Sequence, residues 1–404
     1  MIPSYCSQAP LCVSTDPRPK AASSNGKPAL RTHHFHAWLR MASVLAALLG
    51  GVLLCNTAQA AWAQGLQTQS PDTPVLRVIS TPNPNVFPLL LAMAEDPDLP
   101  VRLVPVATGT DIVNAFHAHA GDALLSMTYT AAQAVVTGAV PQLELVQVDF
   151  WRGFWMLAPR AANIRQFSQL QGQGVLIAGP TAGGKGGGPD LIFQAAIARA
   201  HRTPSDFNVC YLPVMKAAPM MVQQRPMSSN PACAQGTMAA PTAISLVEPA
   251  ATGLVMESRM SDTGTWLQKS IDIQRLFTGY TAWPQDQLPH GGVSVLAAVL
   301  HDPSRQATTD AVLEAYRAAA DEIMAARGHP LVMIRMARTI SAGIAAHYGQ
   351  YGLSLPPAAL IAALASGDLA FRTDLSIAAI QPDLGRFLTE VVGKAPPASF
   401  YHAQ

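Results

Sequence analysis

The sequence predicts an α/β protein in two portions followed by a helical segment, and three observations carry that prediction. Short apolar runs rich in β-branched residues alternate with stretches of helical periodicity from residue 75 onward. The turns between them are brief, and strands that follow one another through helices favour a parallel sheet. Beyond residue 303 the strand signals stop, and helical stretches opened by Pro303, Pro330, Pro356 and Pro382 run to the C-terminus.

In order, SPDTP at 70–74 is a linker and VLRVIS (75–80) the first strand, broken by TPNPN before a helix from Val86. VRLVPV (101–106) is a second strand, and after ATGTD a helix covers 112–121. DALLSM (122–127) is a third strand, 129–139 a third helix and LELVQV (143–148) a fourth strand. FWMLAP (154–159) and GVLIAG (174–179) are further strands, and the helix at 189–201 carries Pro189 in its first turn. FNVCYLPV (207–214) is a strand, 215–224 a helical turn or two, and RPMSSNPACAQG (225–236) an irregular loop. TAISLVEP (242–249) is a strand entering a turn, 250–258 a helix, and LPHGGVSVLAAVL (288–300) the last strand. Helices are expected at 303–327, 330–348, 356–365 and 382–392.

A length of 404 residues admits two domains with proper cores. A formal net charge of +1 without a basic stripe argues against a nucleic-acid surface. Residues 41–64, MASVLAALLGGVLLCNTAQAAWAQ, follow a basic, histidine-rich stretch and have the pattern of a cleaved export signal. Their apolar part, 42–54, is shorter than the ~20 residues that a membrane-spanning helix needs. Small residues place cleavage after Ala60 or Ala63, which makes 1–63 a leader, with Met41 an alternative start. Cys55 would suit a lipid anchor, but the bulky Leu54 before it disfavours one.

The leader holds Arg18, Lys20, Lys27, Arg31 and Arg40 against Asp16, a net +4 of the chain's +1, so the remainder totals −3. Of the five cysteines, Cys6, Cys12 and Cys55 leave with the leader. Cys210 and Cys233 either pair in an oxidising compartment or remain two buried thiols.

Each strand end opens into small polar residues: Thr81 and Asn83; Thr108, Gly109 and Thr110; Ser126 and Thr128; and the glycine-rich stretch 181–188. Ligands of open α/β sheets gather outside the strand C-termini, where helix N-termini offer unpaired N–H donors. These residues are therefore ligand candidates, with Thr108 and Asp111 also suited to cap a helix.

GPTAGGKG (179–186) matches seven of the eight positions of the phosphate loop G-x-x-x-x-G-K-[S/T], but Gly186 stands where the magnesium-binding hydroxyl belongs. That substitution argues against ATP hydrolysis, as does export, because ATP is not maintained outside the cytoplasm. The loop, with Thr181, Gly183, Gly184 and Lys185, is either a metal-free cradle for an anion or polar head group or a surface loop with a solvated lysine.

DFWRGFW (149–155) packs four aromatics into seven residues, and Trp151 or Phe154 either stacks on a ligand or joins the core, as does Trp283. Glu248 binds a ligand amine or caps the following helix, and His290 is a loop histidine or a cleft contact. No H-E-x-x-H, G-x-S-x-G or cysteine cluster appears, so no catalytic residue, metal or cofactor is expected.

The order of ATGTDIVNAFHAHAGDALLSM, QFSQLQGQGVLIAGP, YLPV, SLVEPAATGLVM, LPHGGVSVL and RFLTEVVGKAPPASFYH resembles the periplasmic substrate-binding proteins of ABC importers. Within them it looks like the nitrate/sulfonate/taurine and thiamine-precursor branch. The resemblance spans 75–402, and its most specific parts are Glu248-Pro249 and the terminal GKAPPASFY. It implies a type II periplasmic-binding fold: two α/β lobes, a ligand cleft between them and a helical C-terminal segment.

Carried over, lobe one is 75–157 with 284–404, and lobe two is 158–283. The resemblance also implies a periplasmic monomer that hands a small molecule to an inner-membrane ABC permease. A ligand sensor that transports nothing, or an enzyme on the same scaffold, stays open as an alternative. The chain departs from the family where RPMSSNPACAQGTMAAPTA (225–243) replaces a short G-x-[I/V]-D-A turn, and a Cys210–Cys233 bridge would tie that insertion down.

Overall fold

The computed structural model describes residues 74–179, 184–233 and 239–402. The leader, with its signal pattern and Cys55, lies outside the described residues, as do Thr181 and Gly183.

The first sheet begins with three parallel strands, β1 (Leu76–Ser80), β2 (Val101–Pro105) and β3 (Ala123–Met127). β1 lies between the other two, with Val78 opposite Leu103 on one side and Ala123 on the other. Helices α1 (Val86–Glu95), α2 (Gly109–His117) and α3 (Thr128–Val136) alternate with them. β4 (Leu143–Arg152) is longer than its apolar pattern suggests, because the aromatic run continues it to the point where the chain leaves this sheet.

At Gly153 the chain passes into a second sheet: β5 (Phe154–Pro159), β6 (Gly174–Gly179), β7 (Asn208–Pro213), β8 (Ala243–Val247) and β9 (Leu267–Asp272), ordered β7-β6-β8-β5-β9. Helices α4 (Gly188–Arg199), α5 (Val214–Val222) and α6 (Ala250–Met260) accompany them. The segment 273–290 returns the chain to the first sheet as β10 (Gly291–Leu296), which inserts antiparallel between β3 and β4.

Both sheets are therefore mixed, which corrects the expectation of a parallel sheet. β10 and β5 each arrive directly from the other sheet, so they enter in the opposite direction from the strands connected through helices. β9 has no strand signal in the sequence, since only Leu267 and Ile271 of its six residues are buried.

After β10 come α7 (Ala297–Leu300), α8 (Pro303–Ala325), α9 (Pro330–Tyr348), α10 (Pro357–Ser366), the short strand β11 (Ala370–Phe371) and α11 (Ile377–Val392). Three details differ from expectation. Residues 297–300 are helical rather than strand. A two-residue strand pairs outside β4 within the helical segment. The last helix begins five residues before Pro382, because Ser376 accepts from the Ala379 N–H at 3.2 Å and sets its start.

The largest apolar cluster runs through the first sheet, α1, α8, α9 and α11 and reaches one face of the second sheet through Ile177, Phe193 and Phe207. The opposite face of the second sheet carries a smaller cluster, with Leu157, Leu176, Leu212, Met221, Leu246 and Leu254. Cys210 of β7 and Cys233 of the irregular loop belong to it and form a disulfide, with Cα atoms 5.0 Å apart.

Candidate functional site

The C-terminal ends of β1, β3, β6 and β8 open onto one cleft of about 870 Å³. From the first sheet's side come Thr81, Asn83, Thr108, Gly109, Thr110 and Ser126. Facing them are Gly184, Lys185 and the start of α4, with Val214, Met215, Leu246 and Glu248. The two sides meet at Gly188, where an added Cβ would lie 3.2 Å from Thr130 Oγ1 and 3.3 Å from Met127 and Tyr129.

Much of the polar lining is held by neighbours on its own chain. Asn83 donates from Nδ2 to Thr81 Oγ1 at 2.9 Å and accepts from the Asn85 N–H at 3.0 Å, which fixes the turn into α1. Thr108 opens α2 in a reciprocal cap: its Oγ1 accepts from Asp111 N–H at 3.1 Å while its own N–H donates to Asp111 Oδ2 at 2.9 Å. Ser126, almost fully buried, donates to the Met127 carbonyl at 3.1 Å.

Gly184 and Gly186 take φ of +66° and +72°, a left-handed backbone that explains glycine at both positions. The Gly186 N–H, however, already donates to Asp190 Oδ2 at 2.7 Å, and Tyr211 donates its hydroxyl to Asp190 Oδ1 at 2.9 Å. A buried carboxylate of the protein thus engages the described end of this loop at Gly186. Lys185 stays exposed at the rim.

Glu248 is fully buried, and burial pushes its carboxyl above the usual carboxylate range against the pull of Lys269. Its Oε2 accepts from the Thr252 N–H at 3.2 Å, and the Lys269 ammonium sits against Oε1. Lys269 also reaches Asp368 at 2.5 Å and so ties the second sheet to the C-terminal segment.

Three candidates lie behind the cleft rather than on its lining. Thr128 is fully buried and donates its hydroxyl to the Pro289 carbonyl. Trp151, equally buried, donates from its indole N–H to the Arg372 carbonyl at 2.9 Å and packs on Trp283 with ring centroids 5.7 Å apart. His290 contacts Gln274 Oε1 through Nε2 at 3.0 Å and packs 4.9 Å from the Phe154 ring. Burial holds the His290 imidazole down to about 3, helped by the Arg152 charge.

Sequence reasoning missed most of the apolar wall. Phe87, Met127, Val214, Met215 and Leu246 line the cleft, as do Ile344 and residues 353–356 of the C-terminal segment. Apolar residues there follow ordinary core periodicity, so nothing local marks them as cleft-facing. Phe154, buried at the crossing into β5, also lines it.

No protein-family model matches the chain. No curated protein matches its sequence. Solved structures do share its fold. An ABC transporter from Parabacteroides distasonis aligns with a TM-score of 0.54 at 14% identity, covering 82% of this chain and 99% of that one. The periplasmic aliphatic sulphonate binding protein SsuA from Escherichia coli aligns at 0.53 and 14% identity, covering 80% and 86%. A Candida albicans gene product with the generic periplasmic binding protein structural fold aligns at 0.51 and 12%, covering 81% and 96%. At such identities the likeness establishes the architecture: this chain has the periplasmic-binding-protein fold.

Proposed function

We propose that the protein is a solute-binding receptor that captures a small molecule in this cleft and delivers it to an ABC import permease of the inner membrane. The observation that carries the reading is the 870 Å³ cleft at the strand ends, between two sheets that the described chain crosses at Gly153 and through 273–290. A cleft spanned by so few crossings can close by hinge motion, which desolvates the ligand and brings both lobe surfaces together for a partner. The aliphatic sulphonate binding of a neighbour with the same fold supports a transport role.

The moving bodies follow the sheets, 75–152 with 291–402 and 154–272, because the boundary expected after 157 would cut β5, which pairs with β8 and β9. Residues 1–63 direct export to the periplasm and are removed after Ala60 or Ala63, and the receptor works as a monomer without catalysis. Thr81, Asn83, Thr108, Gly109, Thr110 and Ser126 contact ligand from the first side, and Gly184 and Lys185 from the second.

Native mass spectrometry of the protein taken from its own cell envelope tests this. The expected result is a chain starting at Ala61 or Gln64 with one small molecule that leaves on denaturation. A chain with no ligand, whose thermal midpoint also ignores every fraction of its growth medium, overturns the receptor reading.

A further inference from the structure

Resting on the receptor reading, we propose that the cleft takes an uncharged, largely apolar small molecule with one or two hydroxyl or carbonyl groups, not a compact anion. The argument starts from the helix N-termini that reach the cleft. Each such terminus carries unpaired N–H donors and about half a positive charge, the usual means of holding an anion in this type of fold.

Here a carboxylate of the protein itself already sits at three of them. At α2, Asp111 Oδ2 accepts from the Thr108 N–H at 2.9 Å and from the Thr108 hydroxyl at 2.8 Å. At the glycine loop before α4, Asp190 Oδ2 accepts from the Gly186 N–H at 2.7 Å. At α6, Glu248 Oε2 accepts from the Thr252 N–H at 3.2 Å. Two other termini are filled by neutral acceptors, Asn83 Oδ1 at the entry to α1 and the His290 carbonyl, 2.8 Å from the Thr128 N–H, at α3.

An incoming anion would therefore meet the Asp111 and Asp190 carboxylates at two of these termini and a third, Glu248, whose charge Lys269 offsets, with the Thr108, Gly186 and Thr252 N–H groups already engaged. It would also lose its hydration against walls such as Phe87, Met127, Leu246 and Leu254, a large cost for a compact charge. At the termini of α5 and α10, which lack a side-chain cap, the cleft lining is Val214, Met215, Leu355 and Pro356. The exposed charges on the lining, Lys185 and Glu257, are of opposite sign. An uncharged ligand meets none of these penalties, and its few polar groups find hydroxyls at Thr81, Thr110 and Thr130.

A matched pair of fluorescent probes decides the matter. N-phenyl-1-naphthylamine is neutral, and 8-anilino-1-naphthalenesulfonate has the same ring skeleton with a sulfonate added. Both are titrated into the full chain at low salt, alongside Thr110→Trp, which places a bulky side chain at the cleft mouth. The neutral probe is expected to bind at least tenfold more tightly, and Thr110→Trp to weaken it at least tenfold. Asp190→Asn should raise sulfonate affinity several-fold and leave the neutral probe unchanged; should that variant not fold, the wild-type ratio decides alone. Equal or tighter sulfonate binding that Thr110→Trp abolishes overturns the ligand class but leaves the receptor standing. If neither probe binds in a manner sensitive to Thr110→Trp, the ligand class falls, and mass spectrometry of the native protein judges the receptor separately.

Discussion

The first sheet runs β2-β1-β3-β10-β4 and the second β7-β6-β8-β5-β9, with β11 added only to the first. In each, three parallel strands are followed by a strand that has just crossed from the other sheet, then by one more antiparallel strand. The two repeat one topology and stabilise it differently. Long helices, α8 and α9 above all, pack the first sheet into a large core. The outer face of the second has a smaller cluster and a disulfide that ties irregular chain to its edge strand β7. One strand order thus tolerates either remedy for burying its outer face, apolar area or a covalent link.

The sharpest way to break the comparison is at the crossing that both sheets share. Arg152, at the end of β4, donates to Asp272 Oδ2 of β9 at 2.6 Å and to the Asp286 carbonyl at 2.6 Å. Arg152→Leu leaves Asp272 with Gln274 on Oδ1 and only the exposed Arg275, 3.3 Å away, on Oδ2, and should cost about 1.5–3 kcal/mol, measured by urea unfolding. A cost below 1 kcal/mol would mean that the crossing is held by packing alone.

Next comes the disulfide. Cys233→Ser should lower the stability of the second sheet by about 3 kcal/mol, because the bridge restricts the chain between 210 and 233 whenever that sheet opens locally. The loss should appear as faster amide exchange in β7 and α5 while α8 and α9 stay protected. Uniform loss of protection across both sheets would contradict the separate remedies.

The pH dependence probes the first sheet and its crossing through two buried groups, each with a slope of about 1.4 kcal/mol per pH unit at most. His290 titrates near 3 when folded and near 6.5 when unfolded, so the unfolded state holds the extra proton and stability falls as pH drops between those values. Asp149 of β4, fully buried, is pushed up to about 7 by burial, so the folded state holds its proton and stability falls as pH rises from about 4 to 7. Calorimetry should show His290→Asn flattening the acid limb and Asp149→Asn the neutral limb. A variant whose curve stays parallel to wild type would remove that residue from the account.

The smallest effect belongs to the glycine loop. Lys185 is exposed, and Lys185→Ala should change the melting midpoint by no more than about 0.5 kcal/mol in equivalent stability. A larger loss would reveal a structural role for the loop.

Much of this fold was legible because strand and helix periods are local properties. The runs at 75–80, 101–106, 154–159 and 174–179 and the proline-led helices at 303 and 330 needed no partner to be recognised. β9 was not legible: Gln268, Lys269 and Ser270 interrupt its apolar pattern, and its pairing with β5 holds it in place. In the site, the small polar residues at the strand ends stood out, whereas the aromatic run DFWRGFW drew notice for a feature of the crossing. Trp151 is buried there because its indole N–H finds the Arg372 carbonyl, 221 positions away.

By itself, then, the sequence determined an α/β chain with ligand-type loops at its strand ends, since repeat period and loop composition are written within a few residues. Which loops share a cleft, which apolar residues wall it, and that Asp190 turns back onto the Gly186 N–H beside it emerged from the tertiary structure. Those outcomes depend on contacts between distant segments, where burial, pairing and direction of approach are settled together.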